Sequence, residues 1–161
     1  MIFVTLGTQD KPFKRLVEAV DKYSIRHPEE DIVVQLGYTT YKSNTMKLFD
    51  YIPSDKMEHY FSNADIIITH GGVGSILEAI KKNKKVIAIP RLKKFGEHVN
   101  DHQTQIVSAF AGMNYIVDCN DLDQLEDKIV YAKKISLNQF HSNNEHFVGE
   151  LKKIVDYLMN N

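Results

Sequence analysis

Asp65-Ile-Ile-Ile-Thr-His70-Gly-Gly-Val-Gly-Ser75-Ile-Leu-Glu78 is the stretch on which the fold turns. It opens with an apolar, β-branched run of strand length, as expected of a strand covered on both faces. Gly71, Gly72 and Gly74 then interrupt it, and a stretch of helical period follows over 75–82. A second apolar run, 86–89, is stopped by Pro90. Strand, glycine turn, helix, strand is the repeating unit of a parallel sheet, because parallel neighbours must be joined by a crossover.

Working outward, residues 2–6 read as a strand ended by Gly7-Thr8, and Phe13, Leu16, Val17 and Val20 then repeat at helical spacing behind Pro12. Strands are expected at 32–36 and 47–52, the latter stopped by Pro53, with a polar loop over 38–44 and a short helix over 55–61. Beyond Pro90, helical spacing over 100–110 ends at Ala111-Gly112, a last short strand is expected at 115–117, and a helix at 121–131. Phe147, Leu151, Ile154, Val155 and Leu158 mark an amphipathic helix over 143–159, reached through a polar linker at 136–144. The fold class is α/β: a Rossmann-like parallel sheet with helices on both faces, in one domain spanning 1–161.

Composition narrows the function. With 161 residues, 43% of them apolar, the chain builds a core without staples. A net charge of −1 argues against wrapping nucleic acid, which needs a concentrated cationic excess. The single cysteine, Cys119, forms no internal disulfide, so a reducing, cytoplasmic setting is the default. No run approaches the roughly 20 apolar residues of a spanning helix, and the first residues read as a strand rather than a leader, so any membrane contact is expected to be peripheral or through a partner.

In open parallel sheets ligands bind where strands end, and three such places carry informative residues. Gly7-Thr8-Gln9 either lets backbone N–H groups approach a phosphate or forms a tight turn. The turn from His70 to Ser75 opens a helix whose free N–H groups suit a diphosphate. It lacks the Gly-Lys-Ser/Thr of a P-loop, and Leu77 stands where a dinucleotide fingerprint needs glycine. Ser75-x-x-Glu78 has two readings: a carboxylate gripping a ribose diol, or a helix capping box. His70 likewise either donates to a phosphate or bonds inside the turn.

The third place, His98-Val-Asn-Asp-His-Gln103, offers hydrogen-bonding groups for sugar hydroxyls. The four-residue spacing of His98 and His102 also allows a metal reading, but no Glu follows His98 as a zinc protease motif requires, and no metal is expected. Arg91, Lys93 and Lys94 read as a solvated basic loop, with phosphate or an acidic partner as the alternative. Asp121 and Asp123 read as capping carboxylates at a helix start.

Taken in order, Phe49-Asp-Tyr-Ile-Pro53 with Met57, Ala64-Asp-Ile-Ile-Ile-Thr-His-Gly-Gly72, Ser75-x-x-Glu78, Pro90 and the stretch from His98 to Gln103 resemble the C-terminal, donor-binding domain of glycosyltransferase family 28, half of a GT-B enzyme. The resemblance implies that Ile52 offers backbone groups to uracil, that Glu78 binds the ribose, and that the turn over Gly72, Gly74 and Ser75 holds the diphosphate of a UDP-sugar. Asp101, His102 and Gln103 would face the donor sugar. The acceptor-binding half of two-domain members has no counterpart here, so the chain is similar to split versions: the catalytic subunit of the eukaryotic dolichol-pathway N-acetylglucosaminyltransferase, and bacterial capsule and exopolysaccharide subunits starting like Val4-Thr-Leu-Gly-Thr8.

That resemblance implies transfer of galactose or N-acetylglucosamine, with inversion and without a metal or cofactor, to a lipid-linked saccharide. A membrane-anchored partner would bind the acceptor and supply the catalytic base, placing the complex at the cytoplasmic membrane face. The last helix would either dock that partner or pack on its own domain, and uncovered apolar surface would favour homodimers when the partner is missing. The alternative is a non-catalytic subunit that enhances or anchors an active transferase.

Overall fold

The computed structural model describes residues 1–141 and 143–160. Six parallel strands, β1 (Ile2–Thr5), β2 (Ile32–Gln35), β3 (Lys47–Phe49), β4 (Ile66–His70), β5 (Lys85–Ile89) and β6 (Val117–Asp118), lie in the order β3-β2-β1-β4-β5-β6. Chain order runs outward in one direction from β1 and in the other from β4, so the sheet has its switch point between those two strands. That is where a crevice opens outside the carboxyl ends.

Alternation along the strands divides the core in two. Ile2, Val4, Ile66, Ile68 and Ile87 face α1 (Lys14–Arg26) and α5 (Leu125–Lys134). Phe3, Val33, Ile67, Val86 and Ala88 face the other layer, made by α2 (Ser54–Asn63), α3 (Val73–Lys81), α4 (His102–Gly112) and α6 (Glu145–Asn160). Each central strand is buried along its whole length, which is why these segments read as continuous apolar runs rather than alternating ones.

Several expectations shift. The expected strand over 47–52 stops at Phe49, and the last strand is Val117–Asp118, paired through Ile87 with Val117, instead of 115–117. Tyr115 and Ile116 are instead buried in the α4 and α6 layer. The expected linker over 136–144 is anchored: Asn138 N–H donates to the Asn114 carbonyl and Phe140 N–H to Asn83 Oδ1. Ser142, in that stretch, and Asn161 lie outside the described residues. Along α6, Phe147 is buried and Leu151, Ile154 and Leu158 pack on the domain's own core, while Val148 and Val155 remain exposed. Four of the five residues of that helix's apolar stripe, all but Val155, are thus occupied internally. Asp121 Oδ1 accepts from Asp123 N–H at 3.0 Å, so that carboxylate does cap. Among the described residues no helix is long and apolar enough to cross a membrane.

Candidate functional site

The crevice at the switch point holds about 540 Å³. Gly7, Thr8, Ile52, His70, Gly72, Gly74 and Ser75 line it, together with Gln35, Tyr51 and Met57. Its inner wall starts in the sheet. Thr5 and Gln35 are register partners at the carboxyl ends of β1 and β2. Thr5 Oγ1 donates to Gln35 Oε1 at 2.8 Å, and Gln35 Nε2 donates to the carbonyls of Gly7 (3.3 Å) and Asp50 (3.2 Å). These bonds tie the Gly7 turn to the segment after β3. The signal missed in the sequence is a polar residue closing an otherwise apolar buried strand.

α3 begins at Val73, with Gly72 as its N-cap and no side-chain cap bond. Ser75 therefore sits inside the first turn and does not cap, which removes the capping-box reading of Ser75 and Glu78. Ile76 N–H makes the helix's first bond, to the Gly72 carbonyl at 3.2 Å. The amides of Val73, Gly74 and Ser75 precede it and have no carbonyl within the helix to reach. Together with the positive end of the helix they make the lip of the crevice attractive to an anion. No Asp or Glu is among the lining residues. A methyl group at Gly74 would meet nothing within 4 Å, so its bareness serves the open space and not the protein's packing.

His70 is the deepest of the lining groups, 9% exposed, with its ring wedged between two glycines. A Cβ on Gly7 would lie 2.3 Å from His70 Nε2, and one on Gly72 would lie 2.1 Å from Cε1. Burial, and then the nearby Arg91 charge, push its pKa down to about 4, so the ring is neutral at physiological pH. Behind it stands Gln103, 5% exposed, whose Oε1 accepts from the N–H groups of Gly71 and Arg91, both at 3.0 Å. Gln103 thus joins the glycine turn to the segment after β5, and it lies behind the crevice rather than in it.

The remaining predicted residues, Glu78, His98, Asp101 and His102, do not line the crevice. Glu78 points along α3, its side chain 46% exposed and 3.5 Å from Lys82 Nζ. Asp101 Oδ1 accepts from Lys93 N–H, and His102 N–H donates to Asn100 Oδ1. His98 precedes α4, so it and His102 do not share a helix face. Among the described residues no three His, Cys, Asp or Glu side chains converge as metal ligands would.

Arg91 overturns the solvated-loop reading at its own position, while Lys93 and Lys94 are exposed. It is 1% exposed, stacks 4.8 Å from the Phe13 ring centroid, and donates to the carbonyls of Leu6 (2.7 Å), Lys11 (2.8 Å) and Glu97 (3.2 Å). Burial lowers its pKa to about 10, and it stays charged. Buried Glu97 accepts from both Arg15 Nε and Nη2 at 2.9 Å and from Leu92 N–H. Together these residues fix the loop after β5 to the turn after β1.

A family model described as the glycosyltransferase family 28 C-terminal domain matches residues 1–158. The UDP-N-acetylglucosamine transferase subunit ALG13 of Candida glabrata is 29% identical over 127 residues, covering 78% of this chain and 56% of that protein. The curated relatives that match are longer, and the chain spans between 10% and 56% of their length. Among solved structures, the NMR structure of ALG13 superposes with a TM-score of 0.62 at 20% identity, covering 93% of each chain. The glycotransferase of kitacinnamycin superposes at 0.63 with 16% identity, covering 95% of this chain and 37% of that one.

Proposed function

The chain belongs to the glycosyltransferase family 28 C-terminal domain family, and from that premise we propose that it is the donor-binding subunit of a UDP-sugar-dependent glycosyltransferase. One observation carries the reading. At the sheet's switch point the amides of the first turn of α3, a neutral buried His70 and the bare Gly74 all face the same acid-free crevice. That is a site for a diphosphate. Tyr51, Ile52 and Met57 supply the flat apolar wall a base needs. Glu78 reaches the ribose by giving up a long contact, 3.5 Å, with Lys82, which keeps its pair with Glu58.

In the reaction, an acceptor hydroxyl attacks C1 of the sugar, the bond from C1 to the diphosphate oxygen breaks with inversion, and the hydroxyl proton passes to a base. UDP leaves with added negative charge, which the helix-end amides stabilise without a metal. The base comes from a membrane-anchored partner that binds the lipid-linked acceptor. A rim of exposed apolar side chains at the carboxyl edge, Tyr38, Phe49, Tyr51, Phe95 and Val99, is the surface that partner covers. N-acetylglucosamine is the first donor sugar to test, given the activity for which the relatives are named, and galactose the second. The product we assign is a polysaccharide of the capsule or exopolysaccharide kind, assembled at the cytoplasmic face of the membrane.

Titration calorimetry with UDP tests the reading: the wild-type chain binds and Glu78→Ala does not. Co-expression with the membrane-anchored partner then yields turnover that Glu78→Ala abolishes. A complex that keeps full turnover with this variant would make the chain a non-catalytic enhancer instead.

A further inference from the structure

His70 has two ring nitrogens, and the hydrogen bonds around it decide which one carries the proton. Gln103 Oε1 already accepts from two backbone N–H groups, Gly71 and Arg91. The side-chain amide is therefore oriented with its oxygen toward those donors and its NH₂ toward the ring. Gln103 Nε2 lies 3.3 Å from His70 Nδ1. An amide nitrogen can only donate, so Nδ1 of the neutral ring must accept and the proton must sit on Nε2. Among the described residues, Nε2 has no hydrogen-bond partner within the protein and is not among the sealed-off polar atoms. It lies against Gly7, at the wall of the crevice.

We infer that Gln103 is a positioning residue: by anchoring its oxygen on Gly71 and Arg91 it locks His70 as the Nε2–H tautomer, so that the ring presents a fixed N–H donor to the diphosphate. The inference rests on the donor-site reading and assigns Gln103 a role through His70 instead of direct contact with sugar. The glycines complete the lock. With no Cβ on Gly7 or Gly72 the ring fits between them, and with either methyl group present it would have to turn away. The charged or titratable groups that act on the ring are Arg91 and His98, both on the segment after β5. Both disfavour a second proton, which keeps the donor neutral and its orientation constant with pH.

Gln103→Glu tests the lock with little change of shape. A glutamate still accepts from Gly71 and Arg91, but its second oxygen also accepts, so Nδ1 must carry the proton and neutral Nε2 turns a lone pair on the diphosphate. The measurement is the ratio of UDP dissociation constants, variant over wild type, at pH 8 and pH 6, in which UDP's own titration cancels. We expect a ratio of about tenfold or more at pH 8. It shrinks toward pH 6 as the glutamate-paired ring takes its second proton and regains an Nε2–H. A ratio near one at pH 8, or one that does not change with pH, overturns the inference and leaves the donor site standing. Long-range ¹H–¹⁵N spectra of the wild-type chain give an answer without any variant: a protonated Nε2 supports the lock and a protonated Nδ1 overturns it. No UDP binding by the wild type at all overturns the donor-site reading, and this inference with it.

Discussion

Gly72 and Gly74 stand two residues apart on one turn, yet the protein uses them in opposite ways. A methyl group on Gly72 would press to 2.1 Å from His70, whereas one on Gly74 would touch nothing within 4 Å. The contrast extends to the two sides of the crevice. On the inner wall, His70 is packed between Gly7 and Gly72, and behind it Gln103 is hydrogen-bonded to the ring and to Arg91 N–H. On the outer lip, Gly74 faces open space and Ser75 is only half-buried. Substitutions on the inner wall should therefore register first as lost stability, and those on the lip as lost ligand binding with the fold intact.

Gly7→Ala is expected to have the largest effect. Gly7 has φ +76°, where an L-residue is strained, and its Cβ would lie 2.3 Å from His70 Nε2. Together strain and overpacking cost roughly 2–5 kcal/mol, read as a lower denaturation midpoint at unchanged slope. An alanine chain as stable as wild type would mean that the ring has room to move and that the inner wall is not packed as described.

Arg91→Lys comes next, at about 3 kcal/mol. An ammonium cannot reproduce the planar fork that reaches three carbonyls while stacking on Phe13, so at least one buried oxygen loses its donor. Urea unfolding checks it. A loss within the scatter of surface substitutions would return Arg91 to the solvated loop that its neighbours Lys93 and Lys94 occupy.

Arg91 also shows where sequence reading stops. The parallel sheet and the glycine turn are legible because each is written locally: Ile66 to Thr69 is continuously apolar or β-branched, and Gly71, Gly72 and Gly74 break it at once, whereas the strand order that sets the switch point is not. Arg91 is buried because it meets carbonyls 80 and 85 residues away, at Lys11 and Leu6. Nothing in Arg91-Leu-Lys-Lys announces that. Gln103 stands out in the sequence, but as a sugar contact, since only the fold shows both of its backbone donors converging on one oxygen. Likewise period alone does not place the start of α3 between Val73 and Ser75, because Gly74 and Ser75 are weak markers inside a first turn.

Acid provides a smaller test of the inner wall. Burial holds His70 at about 4, below its ordinary value of 6.5, so the unfolded chain binds the extra proton first. Stability from this residue is complete above pH 6.5 and is lost as the pH falls toward 4. The loss is about 2 kcal/mol by pH 5. His98, lowered mainly by burial, acts in the same direction. His27, raised by Glu126, opposes them, its contribution being present at low pH and lost on the alkaline side. Unfolding free energies at pH 7 and pH 5, compared between wild type and His70→Gln, isolate the His70 part. Equal pH slopes in the two would show that the ring is hydrated in the folded chain.

Gly74→Ala should change stability least and separates the two sides of the crevice most cleanly. Gly74 lies in the first turn of α3 and is not among the glycines with positive φ, so alanine fits its backbone. Replacing a helical glycine frees the fold from an entropic cost, a gain of up to about 1 kcal/mol. Gly74 lines the crevice, and the new methyl group would take up open space on the turn whose amides are to receive the diphosphate. The expected result is a chain slightly harder to unfold that binds UDP at least about tenfold more weakly. The two readouts move in opposite directions, which a general disturbance of the fold cannot produce. A variant that is stabilised and still binds UDP normally would place the diphosphate elsewhere, because a ligand seated on these amides cannot ignore a methyl group added at their centre.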